Sequence, residues 1–179
     1  TLTATHGEHR MKPLIGLMLG DVTGIGPELV VKLLSSPATR EKANVVIIGD
    51  ARVLELGMKD AGQRIPYVKI AHLKDAVHDA AAVPLIDLQN IDPALYARGE
   101  LNAESGRLTG ETLKFMTDLA LAGDLDGICF APLNKAALHR GGWNYHDEHQ
   151  MFAAWTKHEG YFGEVNIIPQ FSTFRVTSH

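Results

Sequence analysis

Short apolar runs alternate along this chain with stretches of helical spacing, and that alternation is its first signal. Pro13 to Leu19 is apolar and stops at Gly20, as a buried strand does. Pro27 to Leu34 follows with proline at a first helical position and Glu28 in the first turn, which predicts a helix. Asn44 to Ile48 reads as a second buried strand, and Ala51 to Ala61 as a helix. Tyr67 to Ile70 and Val83 to Leu88 are weaker strand candidates. Gln89 to Asn102, with Pro93 and Gly99, reads as loop. Ser105 is placed to cap a long helix to about Ala122, with Leu108, Phe115, Met116 and Leu119 on one face. Asp126 to Ala131 is a further strand, and Pro132 and Asn134 open a short helix through Leu138. Glu148 to Lys157 is a helix candidate; Glu164 to Ile168 and Phe171 to Thr177 are final strands.

Apolar strands alternating with helices argue for an α/β fold, a mostly parallel sheet flanked by helices on both faces. In such sheets ligands gather at the carboxyl ends of the strands, and the motifs below fall there. The chain has 179 residues, enough to bury a real core. Its net charge of −4 offers no basic surface, so no nucleic-acid partner is expected. No stretch approaches the ~20 apolar residues of a membrane span, and none resembles a signal peptide. The lone Cys129, within an apolar run, fits a reducing, cytoplasmic setting and is expected to be buried. Thr1 to Arg10 is polar and reads as a disordered extension before Met11. Residues 11–128 are expected to form a first α/β domain and 129–179 the start of a second. The chain stops on a strand end at His179, which looks incomplete.

Gly20-Asp21-Val22-Thr23-Gly24-Ile25-Gly26-Pro27-Glu28 joins the first strand to the first helix. Three glycines allow tight turning and close backbone approach, and the helix amino end favours an anion. No Gly-Lys-Ser/Thr follows, and the glycine spacing is not that of the dinucleotide fingerprint. A tight turn with no ligand stands beside the anion-binding reading. The strand ending at Ala131 delivers Asn134 and Lys135 to its carboxyl end. A lysine there either neutralises an anionic substrate or is simply solvated. His146-Asp147-Glu148-His149 offers a local metal cluster or a polar loop leading into a helix.

The Gly20–Glu28 run resembles the Gly-Asp-x-x-Gly-Ile-Gly-Pro-Glu signature of the 4-hydroxythreonine-4-phosphate dehydrogenases. A shorter relative of it opens the isocitrate and isopropylmalate dehydrogenases, which share the fold. Ala131-Pro132-Leu133-Asn134-Lys135 is similar to that family's Ala-Pro-(Ile/Met)-Asn-Lys, and the likeness runs from Met11 to His179. The resemblance implies an isocitrate/isopropylmalate dehydrogenase-like chain whose C-terminal half is missing. It also implies NAD, a divalent metal (zinc, magnesium or cobalt) and a homodimer that shares the metal between subunits. Family members carry Gly-His-Thr-Glu, whose His-Thr pair contacts substrate, and a later Thr-Thr-His or Thr-Ser-His whose histidine binds the metal. Here the later motif is Thr177-Ser178-His179, which makes His179 the metal ligand. The family places 30 positions between the two histidines, and that interval back from His179 selects His149 over His146. Gln150 then stands where the family has threonine, Met151 replaces glutamate and Glu148 replaces glycine. The resemblance thus assigns His149, Gln150 and Lys135 to substrate and Gly20, Asp21, Gly24 and Gly26 to the cleft loop. The implied reaction is oxidation, with decarboxylation, of a phosphorylated hydroxy amino acid such as 4-phosphohydroxy-L-threonine or of a related hydroxy acid. It would serve pyridoxal phosphate biosynthesis or a related catabolic pathway. A half-length binding module without catalysis and a dehydrogenase of aromatic cis-dihydrodiols are the alternatives. An isopropylmalate-type enzyme, which binds metal through aspartates, is disfavoured by the terminal histidine.

Overall fold

A computed structural model of the chain describes residues 12–78 and 81–174. Five parallel strands form one sheet in the order β3-β4-β2-β1-β5, with β1 at Leu14–Met18, β2 at Asn44–Gly49, β3 at Tyr67–Ile70, β4 at Val83–Asp87 and β5 at Gly127–Phe130. Side chains along a strand alternate between faces, and on the central strands β1, β2 and β4 both faces are covered. Leu17, Val45, Ile47 and Leu85 pack into one core with α1 (Gly26–Leu34) and α3 (Ala51–Ala61). Met18, Val46, Ile48 and Ile86 pack into the other with α4 (Ala103–Leu121). The α/β expectation holds because β1, β2 and β4 carry buried apolar residues on both faces, which a one-faced sheet would not need.

Three readings change. A short α2 (Pro37–Lys42) stands where no helix was expected; it buries no residue, so no apolar stripe could announce it. The cap of α4 is Asn102, whose side chain accepts from the Ser105 amide at 3.0 Å, not Ser105 itself. Phe115 is 39% exposed, bordering an open groove with Leu73 and Leu119 beside β4, while Leu108 and Met116 are buried as expected.

Cys129, expected in the core, is exposed. β5 is the edge of the sheet; Ile128 and Phe130 face the core under α4, with Phe152 against Phe130, while Cys129 alternates to the other face and is left exposed. The surrounding chain still desolvates the thiol enough to push it above its usual value. The expected change of unit at 128/129 falls inside β5. After α5 (Lys135–Arg140) and α6 (Glu148–Trp155), β6 (Val165–Ile168) and β7 (Phe171–Phe174) pair as an antiparallel hairpin apart from the main sheet. Thr1–Arg10, and the last motif with His179, lie outside the described residues. No helix among the described residues is long and apolar enough to cross a membrane.

Candidate functional site

The carboxyl ends of β1 and β5 lie side by side, and the two glycine- and proline-marked turns that leave them interlock. Gly20 adopts φ +79°, a conformation that strains any residue with a Cβ. Its α-carbon abuts the next turn: a Cβ there would lie 2.7 Å from the Pro132 carbonyl oxygen. The Asp21 amide donates to that same oxygen at 3.1 Å. Asp21 is buried, and its carboxylate accepts from the Thr23 amide and hydroxyl, both at 3.0 Å. Gly26 is required by a second close approach, because a Cβ would come within 2.4 Å of the Leu19 carbonyl oxygen. At Gly24 no such crowding exists, although its carbonyl accepts from Arg98 at 2.8 Å. Gly20 and Gly26 are therefore demanded by backbone packing inside the protein. That favours the tight-turn reading for those two positions over a ligand cradle.

Beyond β5, Asn134 caps α5 by accepting from the Ala137 amide at 3.1 Å. Glycines at the α4–α5 contact make that seat close: a Cβ on Gly106 would lie 2.0 Å from the Ala137 carbonyl oxygen. Gly110 leaves room for Trp143, whose indole N–H donates to the Arg107 carbonyl at 3.0 Å. Trp143 meets Trp155 edge to face at 5.4 Å, so the loop before α6 is pinned from both sides.

These anchors decide which candidates meet. Lys135 opens α5 and its ammonium lies 3.3 Å from the Glu148 carboxylate. Lys135, His146 and Glu148 line one small hollow with Tyr145 and Trp143. Asp147 is buried and caps α6 by accepting from the Gln150 amide at 2.9 Å. His146 Nδ1 and His149 Nδ1 approach the two Asp147 oxygens at 3.6 and 3.8 Å. His149 Nε2 is 3.6 Å from Glu164, on the approach to β6, and Gln150 is exposed. The hollow thus brings together Lys135 and Glu148, with His146 at its rim, while His149 and Gln150 are not among its lining residues.

The local His-Asp-Glu-His metal reading finds no support: among the described residues no three His, Cys, Asp or Glu side chains are grouped to hold a metal ion. Sequence reasoning missed the roles of Asp147 and Glu148. The signal was available, since Asp147 followed three residues later by Gln150 is a helix-capping pattern.

Residues 41–179 match the family model described as pyridoxal phosphate biosynthetic protein PdxA. A Pasteurella multocida protein, provisionally named a 4-hydroxythreonine-4-phosphate dehydrogenase, is 41% identical over 94% of this chain and 50% of its own length. A Clostridium botulinum protein, provisionally named a D-threonate 4-phosphate dehydrogenase, is 34% identical over 83% of this chain and 44% of its own. The crystal structure of a 4-hydroxythreonine-4-phosphate dehydrogenase from Burkholderia phymatum superposes with a TM-score of 0.84 at 32% identity, covering 94% of this chain and 50% of that one. The chain spans about half the length of the curated relatives it matches.

Proposed function

We propose, because this chain belongs to the pyridoxal phosphate biosynthetic protein PdxA family, that the protein carrying it is an NAD-dependent dehydrogenase of a phosphorylated hydroxy acid. The observation that carries this reading is the docking of the two family motifs on each other. The Asp21 amide of the first donates to the Pro132 carbonyl of the second, and Gly20 is the residue that permits the approach.

In this reading Lys135 supplies positive charge to an anionic substrate at the carboxyl end of β5. Glu148, 3.3 Å away, limits that charge and orients the ammonium. Asp147 holds the amino end of α6, so that Gln150 presents its amide, two N–H donors and a carbonyl, from the first turn. His149, braced near Asp147 and Glu164, binds or orients substrate. Among the described residues no three His, Cys, Asp or Glu side chains are grouped to hold a metal ion. The reading assigns His179 as one of three metal histidines shared across a homodimer. It assigns most of the NAD site to the second half of the family's length, in a cytoplasmic enzyme. When bound, the metal would supply Lewis-acid polarisation of the alcohol oxygen.

The substrate reading divides. Glu148 and Gln150 replace the family's glycine and threonine, and a relative carries the D-threonate 4-phosphate name, which favours a phosphorylated sugar acid over 4-phosphohydroxy-L-threonine. A site built for one set of hydrogen bonds rejects analogues that leave its polar groups unpaired. The test is the ratio of kcat/KM for the two compounds, in the wild type and a Gln150→Thr variant at the family's full length. A preference for 4-phosphohydroxy-L-threonine that the variant leaves unchanged would remove the sugar-acid reading.

A further inference from the structure

Three threonines are buried along α4: Thr109, Thr112 and Thr117. Two of them behave as helical threonines do, donating to the carbonyl four residues back. Thr112 reaches the Leu108 carbonyl at 3.0 Å and Thr117 the Leu113 carbonyl at 2.8 Å. Thr109 does not. It is 2% exposed, and its Oγ1 has no hydrogen-bond partner.

A second polar atom nearby is in the same position. The Asn90 amide nitrogen donates to Thr112 Oγ1 at 3.2 Å, and its Oδ1 is buried without a partner. The Thr112 hydroxyl proton is committed to the Leu108 carbonyl, so Thr112 can only accept from Asn90. That fixes the amide orientation, with nitrogen toward Thr112 and the oxygen left open.

Thr109 and Thr112 form one wall of a hollow at the carboxyl ends of β1 and β2, with Gly20, Gly49 and Asp50 on its rim and Ile91 beside them. This is the end of a parallel sheet where ligands bind. About 10 Å³ is open to the centre of a water-sized group, room for one oxygen and its proton. Asp50 is the one charged lining residue, and its oxygens are taken by Arg52 and the Ile91 amide. A charged group would find no counter-ion here. An apolar group would leave Thr109 unpaired.

We propose that this hollow receives one neutral hydroxyl of a bound polyol, which accepts from Thr109 Oγ1. Such a hydroxyl has two sources, the ribose of a dinucleotide and a hydroxy acid. The choice between these probes rests on the dehydrogenase reading; the site itself rests on the unpaired Thr109 hydroxyl in the wall of the hollow.

The test titrates a ¹⁵N-labelled protein carrying this chain at the full length of its relatives with NAD and, separately, with D-threonate 4-phosphate, following the amides of Gly20, Ile91 and Thr109. One probe is expected to move these amides, and its identity names the source. Thr109→Val, which keeps the shape and removes the hydroxyl, is expected to weaken that binding roughly five- to tenfold, and Thr109→Ser to restore it. Unmoved wild-type amides with both probes, or equal affinity in Thr109→Val, would mean that the hollow holds only water and would overturn the proposal. The first of these outcomes decides even if Thr109→Val fails to fold. Binding here without turnover in the full-length enzyme would sink the dehydrogenase reading alone. Turnover with these amides unmoved would sink this inference alone.

Discussion

Replacing Asp50 with alanine removes three things at once from the carboxyl end of β2. Asp50 is 1% exposed; its side chain caps α3 by accepting from the Arg52 amide at 2.9 Å, and it accepts from the buried Ile91 amide, also at 2.9 Å. The Arg52 guanidinium completes the set at 2.8 and 3.0 Å. Loss of the cap costs about 1 kcal/mol. Stranding the Ile91 N–H costs about 1–3 kcal/mol more. Arg52 is half exposed, so its ion pair contributes less than about 1 kcal/mol. The expected loss is about 3 kcal/mol, a fall in Tm of roughly 6–12 °C for a chain of this size. Urea melts followed by circular dichroism at pH 7 measure it. Arg52→Ala is the control and should lose less than about 1 kcal/mol.

The same carboxylate predicts a pH dependence. Burial raises the Asp50 pKa, but the Arg52 side chain and the Ile91 and Arg52 amides outweigh it, leaving the group below its ordinary value. A folded pKa depressed below the unfolded one contributes stability that is complete above the ordinary carboxylate range. That contribution is lost as pH falls through the folded value. Asp50→Ala should therefore flatten part of the acid limb of the stability curve. A loss under about 1 kcal/mol at pH 7, with an unchanged acid limb, would refute the reasoning.

Gly20→Ala should destabilise by about 2–4 kcal/mol, since it adds left-handed strain to a clash with the Pro132 carbonyl; a melt within about 0.5 kcal/mol of wild type would contradict the packing account. Cys129 should react with a disulfide reagent in the native state, slowly at neutral pH and faster as pH rises past the elevated thiol pKa; a thiol reactive only after unfolding would restore the buried reading. Lys135→Ala should leave the melt within about 0.5 kcal/mol of wild type while raising KM for a phosphorylated acid in the full-length enzyme; an unchanged KM would make Lys135 a solvated surface group.

Much of the sheet was legible because β1, β2 and β4 are apolar on both faces, and a parallel sheet covered twice leaves that mark. Helix α2 left none, having no buried face. The exposure of Cys129 could not be read from its apolar neighbours, because it depends on β5 ending up as the edge strand, a fact of strand order. At the site, the motif residues were found by type and spacing, but their company was not. Whether Lys135 faces Glu148, and whether Gln150 is exposed, depends on the Trp143–Trp155 contact and the close seat of α5 on α4. Thr109 gave no signal, since nothing in the sequence distinguishes it from Thr112 and Thr117.

The most direct test of the proposed function is NADH formation by a protein that carries this chain at the full length of its relatives, supplied with NAD, a divalent metal and a phosphorylated hydroxy acid. The account predicts NADH formation with D-threonate 4-phosphate or 4-phosphohydroxy-L-threonine, abolished by chelation and by His179→Ala. A folded, metal-loaded protein that forms no NADH with either compound, or an activity indifferent to both chelation and His179→Ala, would contradict it.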